Sequence, residues 1–462
     1  MATIGRISHA YIVLGLFQFI MSIVLPIEWI GNANTGTLCT IPAICSITSL
    51  GCGLMAYYHN KQESSKTLGG VGIFSVWNQV SVITAIVRYA QIFNAGLIRF
   101  VTTQMAIFGL LIGVCAVTVI ANFWIIITIY KITKESTGSE MYSADGEMSF
   151  RNESKDENAI TPEDRNLSIE KSRYSLNLIY SIIQFINGLL LFTAAIVSTF
   201  SSGGGYFFTL MSYQAAGALF TTGFFGFAIH VNGLPVLTFW HRNLFFMASM
   251  QSAGALCTAA VAYKHLFDAN FATSQLRAVI AVISLGGGAA VILGIVGYFV
   301  AARQQRVSRK SDASNIPRLL FCSAWMNGLF QILLGLVIFA CACIGTTLTV
   351  GYAYSTMNFI LSSVVFASGI AAIDMFRCGR SDVKGAFFGF SCITAIVSVF
   401  AIINAALDYT YEKQPQISNN VKLAMFIVTL CYSIVCAALS FGNAISTRKS
   451  IFQGADSSST NA

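Results

Sequence analysis

Charged residues are scarce in this chain of 462 residues. Asp, Glu, Lys and Arg make up 10% of it and hydrophobic residues make up 55%, whereas about 25% of a typical soluble domain is charged. A water-soluble fold would lack the polar surface needed to cover such a core. The apolar residues instead form runs of roughly 20 to 28 residues, a length that crosses a hydrocarbon layer as a helix. The composition therefore excludes an ordinary soluble protein and predicts a membrane protein.

Motifs that carry chemistry are also lacking. The sequence contains no C-x-x-C pair, no G-x-S-x-G, no H-E-x-x-H, no phosphate-binding loop and no G-x-G-x-x-G, so the usual signatures of redox, hydrolytic, metal and nucleotide sites are missing. The basic residues lie in short segments between apolar runs rather than in one patch. We expect no catalytic, cofactor-binding or metal-binding residues, no enzyme activity and no nucleic-acid partner.

Twelve apolar runs are long enough to be transmembrane helices. When alternate loops are assigned to opposite sides, 21 of the 27 Lys and Arg residues fall on one side. Because Lys and Arg are enriched in cytoplasmic loops, this split predicts that both termini are cytoplasmic. The expected spans are residues 10–30, 38–58, 68–93, 103–130, 175–200, 206–229, 243–264, 277–302, 319–345, 350–373, 385–407 and 423–445.

One connecting segment differs from the others. Residues 131–173 lack apolar periodicity and are rich in Ser, Asp, Glu, Asn and Lys, a composition that buries too little apolar surface to fold alone. We expect a disordered cytoplasmic linker there. The short cytoplasmic tail from Ser446 to Ala462 is expected to be flexible too.

A glutamine motif recurs in the first, fifth and ninth spans. Each of Gln18, Gln184 and Gln331 has a small residue three positions before it and another four positions after it. Four spans per period predict an all-α fold of three tandem four-helix units, at 1–165, 166–312 and 313–462. The competing plan, two repeats of six spans as in secondary transporters, has no comparable match. The motif sequences are LGLFQFIMSI at 14–23, YSIIQFINGL at 180–189 and NGLFQILLGL at 327–336.

This small-x-x-Gln-x-x-x-small motif, in the first span of a four-span unit, resembles the membrane-spanning four-domain family that includes the B-lymphocyte surface antigen. The motif covers ten residues of each unit, and the tetraspan plan covers nearly the whole chain. The resemblance implies a non-catalytic membrane protein that assembles with itself or with receptors, sometimes linked to ion flux or lipid organisation. Members of that family have one unit per chain, whereas three are expected here.

Amide side chains inside the spans are the main candidate functional residues. An amide in lipid needs a hydrogen-bond partner, and bonds between membrane helices contribute about 0.6 kcal/mol on average. These amides therefore either hold helices together or line a polar path. The candidates are Gln18, Gln184, Gln331, Asn187, Asn327, Asn78, Gln79, Asn122, Gln214 and Gln251.

Other candidates concern packing, modification and charge. Glycines one helical turn apart allow close helix contact, as do the three glycines at 286–288. Cys378 lies between two arginines at an inner span end and is a candidate for reversible palmitoylation, with an unmodified interfacial thiol as the alternative. Charged residues at span ends are expected to extend into the interface, and the alternative is a paired set around a pore mouth. The glycine pairs are Gly109 with Gly113 and Gly385 with Gly389, and the charged residues are Glu28, Arg88, Lys264, Asp374 and Asp408.

These observations favour a non-enzymatic multi-pass scaffold in the lipid bilayer that organises other membrane proteins, copies of itself or lipids. The alternative is a transporter or channel with a polar path lined by the amides. A third reading is a subunit of a larger complex. We expect the plasma membrane rather than an internal membrane.

Overall fold

The computed structural model describes residues 2–28, 35–62, 65–94, 107, 109–128, 162–201, 207–232, 236–268, 273–305, 319, 323–348, 352–378, 381–411 and 419–459. Its helices are α1 (Ala2–Glu28), α2 (Thr35–Gln62), α3 (Ser65–Asn94), α4 (Gly109–Thr128), α5 (Pro162–Ser201), α6 (Phe207–Asn232), α7 (Val236–Asp268), α8 (Ser274–Gln305), α9 (Ala324–Thr347), α10 (Tyr352–Cys378), α11 (Ser381–Tyr411) and α12 (Asn419–Ser459).

The fold is all-helical, as the sequence predicts, and the described residues contain no β-strand. Helices satisfy every backbone hydrogen bond internally, which a hydrocarbon environment requires. Eleven of the twelve described helices are long and apolar enough to cross a membrane, and α6 is the remaining one. The side chains of α6 from Phe208 to Leu219 are all buried, so its neighbours shield it from lipid. The chain is a polytopic integral membrane protein.

The helices form three closed groups of four, which we call rings: α1–α4, α5–α8 and α9–α12. Within the chain segments described, consecutive helices contact each other from α1 to α3, from α5 to α8 and from α9 to α12. The first and last helices of each ring also meet. α5 packs against α8 and α9 against α12, and Tyr11 on α1 donates a hydrogen bond to Asn122 on α4.

The rings contact one another in cyclic order. The third helix of each ring packs on the second helix of the next, because α3 contacts α6, α7 contacts α10 and α11 contacts α2. The three third helices, α3, α7 and α11, also contact each other. These contacts describe an approximate threefold arrangement of the rings around α3, α7 and α11.

The helices divide into an inner and an outer layer. In the spans of α2, α3, α7, α10 and α11, 67 to 89% of the residues are buried, against 28 to 44% in α1, α4, α5, α8, α9 and α12. The outer helices expose large apolar side chains such as Ile120, Leu285 and Leu333. Exposed apolar side chains on a helix bundle of this composition are suited to contact with lipid tails.

Two predictions about segments between and after the spans need correction. Residues 162–173, expected to be disordered, form the first three turns of α5. Pro162 at the first helical position and the acidic Glu163 and Asp164 beside it favour a helix start. The remainder of the predicted linker, 131–161, lies outside the described residues. The tail expected to be flexible from Ser446 is helical through Ser459.

Candidate functional site

A connected set of hydrogen bonds joins the four helices of the first ring. Asn78 Oδ1 on α3 accepts bonds from the hydroxyls of Thr48 at 2.7 Å and Ser49 at 3.2 Å on α2. Asn78 Nδ2 donates to Asn122 Oδ1 on α4 at 3.3 Å, and the same oxygen accepts the bond from Tyr11. Each described helix of the ring thus contributes to one buried polar network.

The first motif glutamine lies at the edge of this network. Gln18 Oε1 accepts a bond from Ser49 Oγ on α2 at 3.2 Å. Gly15, the small residue three positions earlier, lies against Leu50, since a Cβ added to this glycine would be 2.7 Å from Leu50 Cγ. The amide and the small residue before it therefore both face α2.

The second ring uses the same motif to bind its fourth helix. Gln184 Nε2 on α5 donates to the Ala290 carbonyl on α8 at 3.5 Å, and Asn187 Nδ2 donates to the Gly286 carbonyl at 3.1 Å. Both amides are buried. The absence of a side chain at Gly286 leaves this carbonyl accessible to an amide from the neighbouring helix.

The third ring pairs amide with amide. Asn327 on α9 and Asn443 on α12 exchange two hydrogen bonds, at 2.9 and 3.0 Å. The motif glutamine Gln331 donates from Nε2 to Asn327 Oδ1 at 3.0 Å. The structure therefore places all three motif glutamines in buried positions. Gln18 and Gln184 bond to a neighbouring helix of their own ring, whereas the bond of Gln331 is to Asn327 on the same helix.

Two other candidate amides lie between rings. Gln214 Oε1 on α6 accepts a bond from Trp77 Nε1 on α3 at 3.2 Å. Gln251 Nε2 on α7 donates to Ser363 Oγ on α10 at 3.1 Å. Gln79 on α3 is partly buried, and its Oε1 atom has no partner in the described protein.

A buried ion pair also lies between rings. Arg242 on α7 forms a salt bridge with Asp374 on α10, and both side chains are less than a tenth exposed. The Arg242 guanidinium also lies 5.8 Å from the centre of the Phe239 ring and 5.4 Å from that of Tyr298. Cation–π contacts of this kind add to the stabilisation of a buried guanidinium.

The prediction that span-end charges reach the interface is therefore wrong for Asp374. It is also wrong for Arg88, which is 2% exposed and donates to Gln91 Oε1 at 2.7 Å. Both residues are on inner-layer helices, and the neighbouring helices bury them. The span expected to begin at residue 243 begins earlier, so Arg242 lies within α7 rather than in a loop.

The predicted close-packing glycines differ in their surroundings. A Cβ added to Gly389 on α11 would collide with Cη2 of Trp240, so the indole occupies the space of the missing side chain. Gly385 is also buried. In contrast, a Cβ added to Gly109 or Gly113 would meet no atom of a neighbouring element within 4 Å. This pair on outer helix α4 makes no close contact within the described part of the chain.

The remaining candidates from the sequence add little to the description of the site. Cys378 ends α10, and its side chain lies outside what is described. Nine cysteines in the described segments are free thiols. No group of three or more His, Cys, Asp or Glu side chains in those segments is placed to hold a metal ion. Sequence reasoning missed the Arg242–Asp374 pair and the contact of Trp240 with Gly389, because both join residues far apart in sequence.

No family model, curated protein or solved structure matches this chain.

Proposed function

We propose that this protein is a non-enzymatic membrane scaffold, built of three tandem four-helix units at 1–165, 166–312 and 313–462, that organises lipids, other membrane proteins or copies of itself. The observation that carries the proposal is the use of the intramembrane amides. Seven of the ten candidates bond to groups of their own ring rather than converging on a shared path. Such bonds fix helix positions.

Two observations support the division into three tandem units. The contacts between rings repeat with the same helix roles, as described above. In addition, α3 carries the sequence SVITAIV at 81–87 and α11 carries SCITAIV at 391–397. Thr84 and Thr394 within them are both buried, and each donates to the carbonyl four residues earlier at 2.8 Å. Equivalent sequences on equivalent helices are expected of tandem units.

The scaffold is proposed to lie in the plasma membrane with both termini in the cytoplasm. The charge split of 21 to 6 among Lys and Arg supports this orientation. Protease protection in sealed vesicles checks it, because the segment 131–161 is expected to be cut only from the cytoplasmic side. Glycosylation of Asn152 or Asn166 in the native protein would contradict the orientation.

The second candidate is a transporter or channel, and the layer between rings favours it. This layer contains the Arg242–Asp374 pair and buried polar atoms without a partner in the described protein, among them Gln251 Oε1 and both amide atoms of Asn243. A purely structural layer needs few such groups. Transport would use these groups rather than the amides inside the rings.

Reconstitution of the purified full-length protein separates the two candidates. Proteoliposomes and protein-free liposomes are compared for flux of potassium, chloride, water, urea and glycerol, and the copy number per particle is counted in nanodiscs by photobleaching. The scaffold predicts no flux above the lipid control and stable assemblies of two or more proteins. Saturable flux would support transport and overturn the scaffold. Single copies without flux would overturn both.

A further inference from the structure

Two cysteines from different rings have their thiols together. Cys257 on α7 and Cys343 on α9 lie close enough for a hydrogen bond between the two thiols, and the two helices pack against each other. Both residues are free thiols, so a bond between them forms only on oxidation. We call Cys257 and Cys343 the inter-ring thiol pair, because α7 belongs to the second ring and α9 to the third.

The pair lies towards one end of the membrane-spanning part of both helices. The α7 span covers residues 238–264 and the α9 span residues 324–347, so each cysteine is 19 residues after the start of its span and at most seven before its end. At 1.5 Å per residue, the two sulfur atoms are at the same depth and within about 10 Å of the span ends. They therefore lie in the apolar part of the protein but close to the lipid headgroups.

The thiol pair is open to lipid on one side. Cys257 and Cys343 are both partly exposed. Ala260, one helical turn after Cys257, is exposed, and so is Ile344, the residue after Cys343. Because these residues are in spans, the exposed surface beside the pair faces lipid tails rather than water.

A second thiol pair in the chain provides a comparison. Cys45 on α2 and Cys115 on α4 also have thiols close enough for a hydrogen bond. This pair lies within the first ring, however, and its members are 1% and 2% exposed. The two pairs therefore differ in exposure to lipid rather than in contact.

The surroundings of the inter-ring pair select the kind of oxidant that reaches it. Such a molecule has to dissolve in the bilayer, which a lipid hydroperoxide does. A polar group is costly to bury in hydrocarbon, so the hydroperoxide group stays near the headgroups. This is the depth at which the two thiols lie.

We propose that lipid hydroperoxides oxidise the inter-ring thiol pair to a disulfide, which links the second ring covalently to the third. One sulfur attacks the O–O bond and forms a sulfenic acid, and the lipid leaves as an alcohol that takes the thiol proton. The second sulfur then displaces the hydroxyl, which leaves with the second thiol proton as water. The two sulfurs lose two electrons and the O–O bond gains them.

The link would act between the two rings that the salt bridge also joins. Arg242 and Asp374 connect α7 to α10 near the start of α7, whereas Cys257 lies in the second half of the same helix. A disulfide needs the sulfur atoms to approach to about 2.05 Å, which side chains already in contact can reach by rotation. Oxidation would therefore hold the second and third rings together at two depths. The proposal does not depend on the scaffold function.

Mass spectrometry of the unsubstituted, full-length protein tests the proposal. Protein purified in reductant is placed in nanodiscs, the reductant is removed, and linoleic acid hydroperoxide is added. Remaining thiols are then blocked in SDS and the linked peptides are quantified. The Cys257–Cys343 link is expected on the order of tenfold more often than the Cys45–Cys115 link, because exposure governs thiol oxidation. No Cys257–Cys343 link, or equal yields for the two pairs, would overturn the proposal.

Two further arms check the oxidant and the residues. Hydrogen peroxide at the same concentration should give less of the link than the lipid hydroperoxide, and an equal yield would overturn the assignment of a lipid-borne oxidant. Cys257→Ser should abolish the faster migration of the linked chain in a non-reducing SDS gel. Cys431→Ser, which removes an exposed thiol of α12, should leave that migration unchanged, and its loss in both variants would count against the pair. The mass-spectrometric comparison needs no variant, so it stands even if Cys257→Ser fails to fold.

Discussion

The ion pair between Arg242 and Asp374 allows a quantitative test of how the second and third rings are held together. Asp374→Asn keeps the shape of the side chain and removes its charge, which leaves the guanidinium of Arg242 buried without its carboxylate. Removing one partner of a buried pair costs about 3 to 5 kcal/mol. The rings of Phe239 and Tyr298 lie within 5.8 Å of the guanidinium in both proteins, so their contacts do not contribute to the expected difference.

The double variant Arg242→Met with Asp374→Leu gives the sharper comparison. Removing both charges removes the uncompensated ion, so the double variant should be more stable than Asp374→Asn alone, because apolar replacement of a buried pair is often neutral. Arg377→Gln serves as the control for loss of a cation near an aromatic ring, since Arg377 lies 5.9 Å from the Trp325 ring but is exposed. Its expected loss is about 0.5 to 1 kcal/mol.

The measurement is the free energy of unfolding in mixed micelles, with SDS titrated into a mild detergent and helix content followed by circular dichroism. The reasoning is refuted if Asp374→Asn costs no more than Arg377→Gln. It is also refuted if the loss of stability in the double variant equals or exceeds the sum of the losses measured for Arg242→Met and Asp374→Leu made singly. In either case the salt bridge would not be what holds α7 against α10.

Three further outcomes are expected. Gly389→Ala should destabilise by about 1 to 3 kcal/mol through overpacking against Trp240, whereas Gly109→Ala should be neutral or stabilising by up to about 1 kcal/mol; equal effects in thermal unfolding would contradict the described contacts. Replacing each motif glutamine with leucine should cost about 1 to 3 kcal/mol where a bonded group is left unpaired, and loss of flux without loss of stability would contradict a structural role. Reducing agent should leave the melting temperature unchanged, because the described cysteines are free thiols.

The architecture could be predicted from sequence to the extent that it follows from lipid. Runs of apolar residues specify helices because no other structure leaves a chain's backbone satisfied in hydrocarbon, and this argument found all twelve. It gave no information on the division into inner and outer layers. The sequence predicts α6 as one more apolar run, and the structure shows that it is the described helix without a stretch apolar enough to count as a span and that its side chains from Phe208 to Leu219 are buried among other helices.

The contacts between rings could not be predicted for a different reason. The sequence predicts a loop position for Arg242 and an interface position for Asp374, because it gives only the position of each charge along its own segment. Their salt bridge depends on how α7 and α10 are placed in space, which a single sequence does not contain. The start of α5 is not predicted for a different reason, because here the local sequence does contain the signal. The helix-start sequence Thr161-Pro162-Glu163-Asp164 lies in a segment whose polar composition as a whole predicts disorder.

Each ring binds its fourth helix through different side chains, and this difference favours correct pairing of the helices. Helices in lipid gain no hydrophobic energy from one another, so polar bonds and close contacts decide which helices pair. Three similar units in one chain, as proposed above, would risk exchanging their outer helices. In the first ring the fourth helix is recognised by Tyr11 and Asn78 through Asn122, in the second by amides bonded to backbone carbonyls, and in the third by a reciprocal asparagine pair. An outer helix in the wrong ring would leave these groups unpaired in a dry interior, and that cost disfavours exchange.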